Sequence, residues 1–147
     1  MKNSVLLRSS AVLWVIWGIV HVLFGVMIIN GDAGFGIQAI GNGVELPQIS
    51  YPDALGAIMN QHGWNLVWFG VVTTIGAIFI WRGSDTAIWV CGMVGGLADL
   101  GYFMFLDLGG YVKFVPGTVM TIIALVAILL SFTAYFKNKK QLTSGST

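Results

Sequence analysis

Apolar residues in this chain fall into four long runs separated by short polar breaks, rather than into the two-residue alternation of half-buried strands. The first run, Ala11 to Ile29, is interrupted only by glycines and His21. As a helix it covers about 28 Å, close to the ~30 Å hydrocarbon thickness of a bilayer. It is longer than a secretory h-region and no small-x-small cleavage site follows, so it reads as a retained span. The second run carries Trp64 to Trp81 and stops at Arg82, with Pro52 and Asp53 as an upstream helix start. The third, Thr86 to Leu106, has Ser84 or Asp85 as its cap and Gly109 and Gly110 as its terminator. The fourth opens near Pro116 and stays apolar to Phe136, ahead of Lys137, Lys139 and Lys140.

The predicted fold is an all-α integral membrane protein, an antiparallel up-down four-helix transmembrane bundle. It forms one membrane domain over residues 1–140, with helices near 10–29, 54–82, 86–106 and 115–136. Residues 30–52 make a glycine-rich outer loop in which Gly31, Gly34, Gly36, Gly41 and Gly43 alternate with Phe35, Ile37, Ile40, Val44 and Leu46. That mixture suits either a re-entrant or interfacial segment over the bundle mouth or an ordinary flexible connection. Residues 141–147 read as a polar, disordered tail.

Composition agrees with the pattern. Of 147 residues 56% are hydrophobic and only 9% charged, which a water-soluble domain does not tolerate. The net charge of +1 offers no footprint for a polyanion and excludes nucleic acid as a partner. Cys91 is the single cysteine, so neither an internal disulfide nor a thiol metal centre is available. The partner is the lipid bilayer. Lys2, Arg8, Arg82 and the three C-terminal lysines fall on one side of it, and Lys113 with Asp32, Glu45, Asp53 and Asp107 on the other. The positive-inside rule then puts both termini in the cytoplasm of a bacterial-type inner membrane.

Ionisable groups within the slab cost roughly 2.5–3.5 kcal/mol at its centre and need a reason. Two fall there, His21 and Asp99. Arg8 to His21 is about 20 Å of helix and Asp85 to Asp99 about 21 Å, so the two lie level, in the outer half. His21 shares a stripe with Gly18 and Gly25, and Asp99 shares one with Gly92, Gly95, Gly96 and Tyr102. Gly92 and Gly96 form a GxxxG pattern of the kind that packs membrane helices, within one chain or between copies of a homo-oligomer. On the second helix His62 and Asn65 share a face, His62 nearer the mouth. The predicted site is a polar funnel with His62 and Asn60 or Gln61 at the rim, Asn65, Tyr102, Thr118 and Thr121 on the wall, and a buried His21 and Asp99 pair as its floor.

Such a pair can serve as a purely structural link that fixes helix register. As a functional site it suits binding of a small hydrophobic molecule, with proton-linked handling because histidine titrates near neutral pH. A metal-dependent redox centre on His21, His62 and Asp99 is the alternative, though HExxH and CxxCH are missing and the helical heights of the two histidines differ by roughly 10 Å. No catalytic motif is found, and no cofactor is predicted. In span count and size the chain resembles small four-helix bacterial membrane proteins, the DoxX-like proteins among them, and the resemblance extends to those two properties.

Overall fold

A computed structural model of the chain describes residues 4–41, 50–112 and 114–144, and among these the structure is all-helical. Lys2, Glu45 and Lys113, used above for orientation, lie outside the described residues, as do 145–147 of the expected tail. There are four long helices, α1 (Ser4–Asn30), α3 (Asp53–Trp81), α4 (Asp85–Tyr102) and α5 (Val119–Ser144), and a short α2 (Ala33–Ile40) lies in the long connection between α1 and α3. Four helical stretches are long and apolar enough to cross a membrane.

Local chemistry explains most boundaries. Ser84 is the cap of α4, its hydroxyl accepting from the Ala87 N–H, and Gly83 before it supplies the left-handed turn (φ 86°) that ends α3. The Asp32 carboxylate caps α2 by accepting from Phe35 N at 2.7 Å. Beyond Tyr102, α4 continues as a π-helical turn over Phe103–Asp107, where Leu108 N donates to Phe103 O and Tyr111 N to Leu106 O, both at 3.0 Å. Gly110 (φ 73°) then reverses the chain. At its far end α5 does not stop at Phe136. Lys139, Lys140 and Gln141 are good helix formers with no breaker among them, so the tail expected to be disordered from Gln141 is helical to Ser144.

Packing runs α1 on α3, α3 on α4, α4 on α5 and α5 back on α1, which leaves α1 and α4 facing each other across the diagonal. Buried positions follow a three-four spacing, as in Leu7, Ala11, Trp14, Gly18, Gly25 and Ile28 of α1 and Ala124, Ala127, Ser131, Ala134 and Asn138 of α5. This is the register of side chains meshing in a left-handed bundle.

The closest approach is between α1 and α3. A Cβ on Gly18 would stand 2.6 Å from Gly70 O, and one on Gly25 would stand 2.5 Å from Gly63 O. Rising one step on α1 descends one on α3, so the helices are antiparallel and touch backbone to backbone at two levels two turns apart. Gly92 and Gly96 face α5 instead, receiving Phe132 and Ile128, while Gly95 receives the Trp14 ring from across the diagonal. These faces are filled by the chain's own residues. A second copy would have to use other surfaces.

The core of tryptophan, isoleucine and alanine also takes in Ser10, Thr73, Asp99 and Ser131, whereas Ile16, Ile19, Leu23 and Val26 of α1, Met93, Leu97 and Leu100 of α4 and Met104 of the π-helical turn are exposed. The hydroxyls of Ser10, Ser131 and Thr73 are satisfied by backbone, whereas those of Thr74 and Thr121 are buried without a partner among the described residues. Ser10 Oγ donates across to Ala127 O at 2.8 Å, Ser131 Oγ to the same carbonyl at 2.9 Å, and Thr73 Oγ1 to Phe69 O at 2.9 Å.

The glycine contact predicts a contrast between two alanine substitutions. Gly25→Ala should lower unfolding stability in micelles by about 1–3 kcal/mol, the range for overpacking a site that cannot relax. Gly56→Ala, with nothing within 4 Å of the added methyl, should be neutral or stabilising by up to about 1 kcal/mol. Chemical or thermal unfolding followed by circular dichroism compares them.

Candidate functional site

Toward the end of the bundle where α1 finishes and α3 begins, the helices splay around a cavity of about 340 Å³. Every element contributes to it: Val20, His21, Phe24 and Ile28 from α1, Ala39 and Ile40 from α2, and His62, Leu66 and Phe69 from α3. Ala98, Asp99, Gly101 and Tyr102 come from α4, Phe105 and Leu106 from the π-helical turn, Pro116 and Gly117 from the segment just before α5, and Met120 from α5 itself. The wall is mostly apolar, with four polar side chains, His21, His62, Asp99 and Tyr102. Of the residues read from sequence as a funnel, His21, His62, Asp99 and Tyr102 are brought together, whereas Asn60, Gln61, Asn65, Thr118 and Thr121 are not among the lining residues. The Asn65 side-chain carbonyl accepts from Trp68 Nε1 at 3.2 Å. Thr118 Oγ1 donates to Asp107 Oδ1 at 2.6 Å, which ties the π-helical turn to the start of the last helix.

His21 and Asp99 are not hydrogen-bonded to each other. Trp17 joins them. Its indole Nε1–H donates to Asp99 Oδ2 at 2.8 Å, its backbone carbonyl accepts from His21 Nδ1 at 2.7 Å, and its ring stacks on the imidazole with centroids 3.5 Å apart and planes 21° from parallel. The cause is the diagonal placement of α1 and α4: a direct bond would need the two helices in contact, whereas an indole is long enough to reach across. Trp14, one turn earlier, crosses in the same direction to Gly95, one turn before Asp99. Because both reach across in the same sense, α1 and α4 run parallel, as an up-down order of the four long helices requires. The two rings meet edge to face at 5.8 Å.

Trp14 and Trp17 look in sequence like packing residues, and both are fully buried. The role of Trp17 beyond packing was nevertheless within reach. An indole N–H only donates, so a tryptophan one turn from a buried histidine, in a chain with a single mid-span carboxylate, has few acceptors to choose from.

The hydrogen bonds set what the cavity presents. A backbone carbonyl only accepts, so His21 Nδ1 carries the proton in that bond and the neutral ring leaves Nε2 as an acceptor. Asp99, 6% exposed, uses Oδ2 for Trp17, and Oδ1 makes no hydrogen bond among the described residues. His62 and the Tyr102 hydroxyl likewise have no hydrogen-bond partner there, the latter lying against Gly117, where a Cβ would collide with it. Among the described residues no three His, Cys, Asp or Glu side chains stand close enough to hold a metal ion, so His21, His62 and Asp99 share a cavity without forming a ligand set.

Comparison with protein-family models, with curated proteins and with solved structures returns no match, so the functional argument rests on the residues themselves.

Replacing Trp17 by Phe keeps an aromatic ring but removes the only donor to Asp99 Oδ2 among the described residues. The variant should lose about 1–3 kcal/mol, the cost of stranding a buried acceptor. Asp99→Asn retains an acceptor for the indole and should cost less. Melting of the two variants in the same micelles tests the order, and a Trp17→Phe protein as stable as wild type would show that the cross-bundle bond contributes nothing.

Proposed function

We propose that this chain is a polytopic inner-membrane protein whose outward-facing intramembrane cavity binds a small hydrophobic molecule, with His21 and Asp99 allowing its handling to be proton-linked. The observation that carries the reading is an apolar cavity of about 340 Å³ into which unpartnered polar groups of His21, His62, Asp99 and Tyr102 are gathered. Small-molecule sites combine these two properties, a largely apolar wall and a few convergent polar groups, and this volume is at the low end of their range.

Membrane residence is supported by the large aliphatic side chains that cover the outside of the long helices while several polar side chains lie within the core. Serine, threonine and aspartate inside with isoleucine, leucine and methionine outside is the arrangement expected where the surrounding solvent is hydrocarbon. Exposed tryptophans fall toward the two ends of the bundle, Trp64 with Trp68 a turn further in at one end and Trp81 with Trp89 at the other. Trp64 and Trp81 are seventeen residues apart on α3, about 25 Å, near the thickness of the hydrocarbon. At the Trp81 end Arg8 lies over the Trp81 ring at 5.3 Å, and Lys139 lies 5.9 Å from Tyr135, which itself packs against Trp89. The other end carries Asp32, Asp53 and Asp107. By the positive-inside rule the basic end is cytoplasmic, as are both termini, and the cavity lies in the outer half.

Two measurements bear on this reading. A cytoplasm-active reporter fused to either terminus should be active and a periplasm-active one silent; the reverse pattern overturns the orientation. For the cavity, Gly101 lines it with nothing within 4 Å of a would-be Cβ, so Gly101→Phe should fill it without straining the helix. Wild type should bind naphthylmethanol saturably, followed by probe fluorescence, and the filled variant should bind it at least about tenfold more weakly with its melting temperature retained, because the added ring takes the ligand's volume. Absence of saturable binding by wild type would leave the buried groups a purely structural role.

A further inference from the structure

The polar groups in the cavity are unequal in what they offer a ligand. Asp99 Oδ1 and His21 Nε2 are acceptors, and the Asp99 carboxylate has no lysine or arginine among the lining residues. Arg8 is committed to the Trp81 ring at the opposite end of the bundle, and Arg82 follows directly after that residue. A buried carboxylate held by one neutral donor is under-compensated, and an opposite charge within the site is what it lacks. The surrounding wall adds the faces or edges of Phe24, Phe69, Tyr102 and Phe105, and aromatic rings attract cations when desolvated.

We propose that the cavity selects a lipophilic ammonium ion, an aryl or alkyl amine whose N–H groups meet Asp99 Oδ1 and His21 Nε2 while its apolar body fills the aromatic wall. This rests on the ligand-binding reading above and specifies the chemical class. A carboxylate or phosphate head would meet the acceptors of Asp99 and His21 and be repelled. A hydroxyl head satisfies one acceptor without supplying the missing charge.

The test uses the full chain in discs of zwitterionic lipid, which do not concentrate cations at their surface, and three probes of one shape: naphthylmethylamine, naphthylmethanol and naphthoate. The amine should bind at least about tenfold tighter than the alcohol, since charge-assisted hydrogen bonds are roughly twice as strong as neutral ones, and naphthoate should show no saturable binding. Asp99→Asn, which keeps an acceptor for Trp17, should weaken the amine far more than the alcohol, so that the tenfold preference for the amine is lost; a preference retained in that variant would overturn the proposal. Equal wild-type affinities for amine and alcohol, both lost in Gly101→Phe, would overturn the cation proposal and leave the binding cavity in place. Saturable binding of none of the three would remove the cavity reading as well. The wild-type ranking decides the matter even if Asp99→Asn fails to fold.

Discussion

The hydrogen bond from the Trp17 indole to Asp99 crosses the bundle between two helices that do not pack on each other, and the site is organised around it. A carboxylate inside an apolar bundle needs a donor. Among the described residues the only donor that reaches it comes from the far side, and it can do so because α1 is held in place by glycines against α3. Gly18 and Gly25 admit the backbone of α3 at Gly70 and Gly63. The same approach directs the next face of α1, carrying Trp14 and Trp17, toward α4. Small residues on one seam thus determine what large residues can do on another, which is how helix pairs are positioned where lipid provides no hydrophobic drive between them.

Trp17 also explains why two polar residues at one depth do not simply neutralise each other. Its carbonyl takes the His21 Nδ1 proton and its N–H takes Asp99 Oδ2, so each residue is fixed in orientation by one bond and keeps one polar atom free of protein hydrogen bonds. A direct His21 and Asp99 bond would have consumed both. The intervening indole converts a closed pair into two acceptors bordering a shared apolar space. This arrangement is more suited to a ligand than to register-setting alone, because a purely structural link gains nothing from leaving acceptors unmade.

Much of this architecture is legible in the residues before any coordinates. Long apolar runs mark the helices, Ser84 or Asp85 marks a boundary through capping chemistry, and nearly equal counts from Arg8 and Asp85 place His21 and Asp99 level. What escapes is lateral. Periodicity locates a residue on a face of its own helix but not which neighbour that face meets, so the diagonal relation of α1 and α4, and with it the place of Trp17, is not readable. Asn65 was assigned to the wall on height and polarity, and its true partner, Trp68, is a turn away on the same helix. The helical ending through Ser144 was missed for a different reason: polarity was read as disorder although the residues themselves favour helix.

The account centres on Trp17 as the residue through which the cavity is built. The resonance of its indole N–H, in isotope-labelled protein in lipid discs, reports on this directly. The account predicts a hydrogen-bonded, exchange-protected signal that is lost in Trp17→Phe and shifts saturably when naphthylmethylamine is added, with a midpoint equal to that of binding. A rapidly exchanging Trp17 indole, or one that does not move while the probe binds saturably, would contradict it.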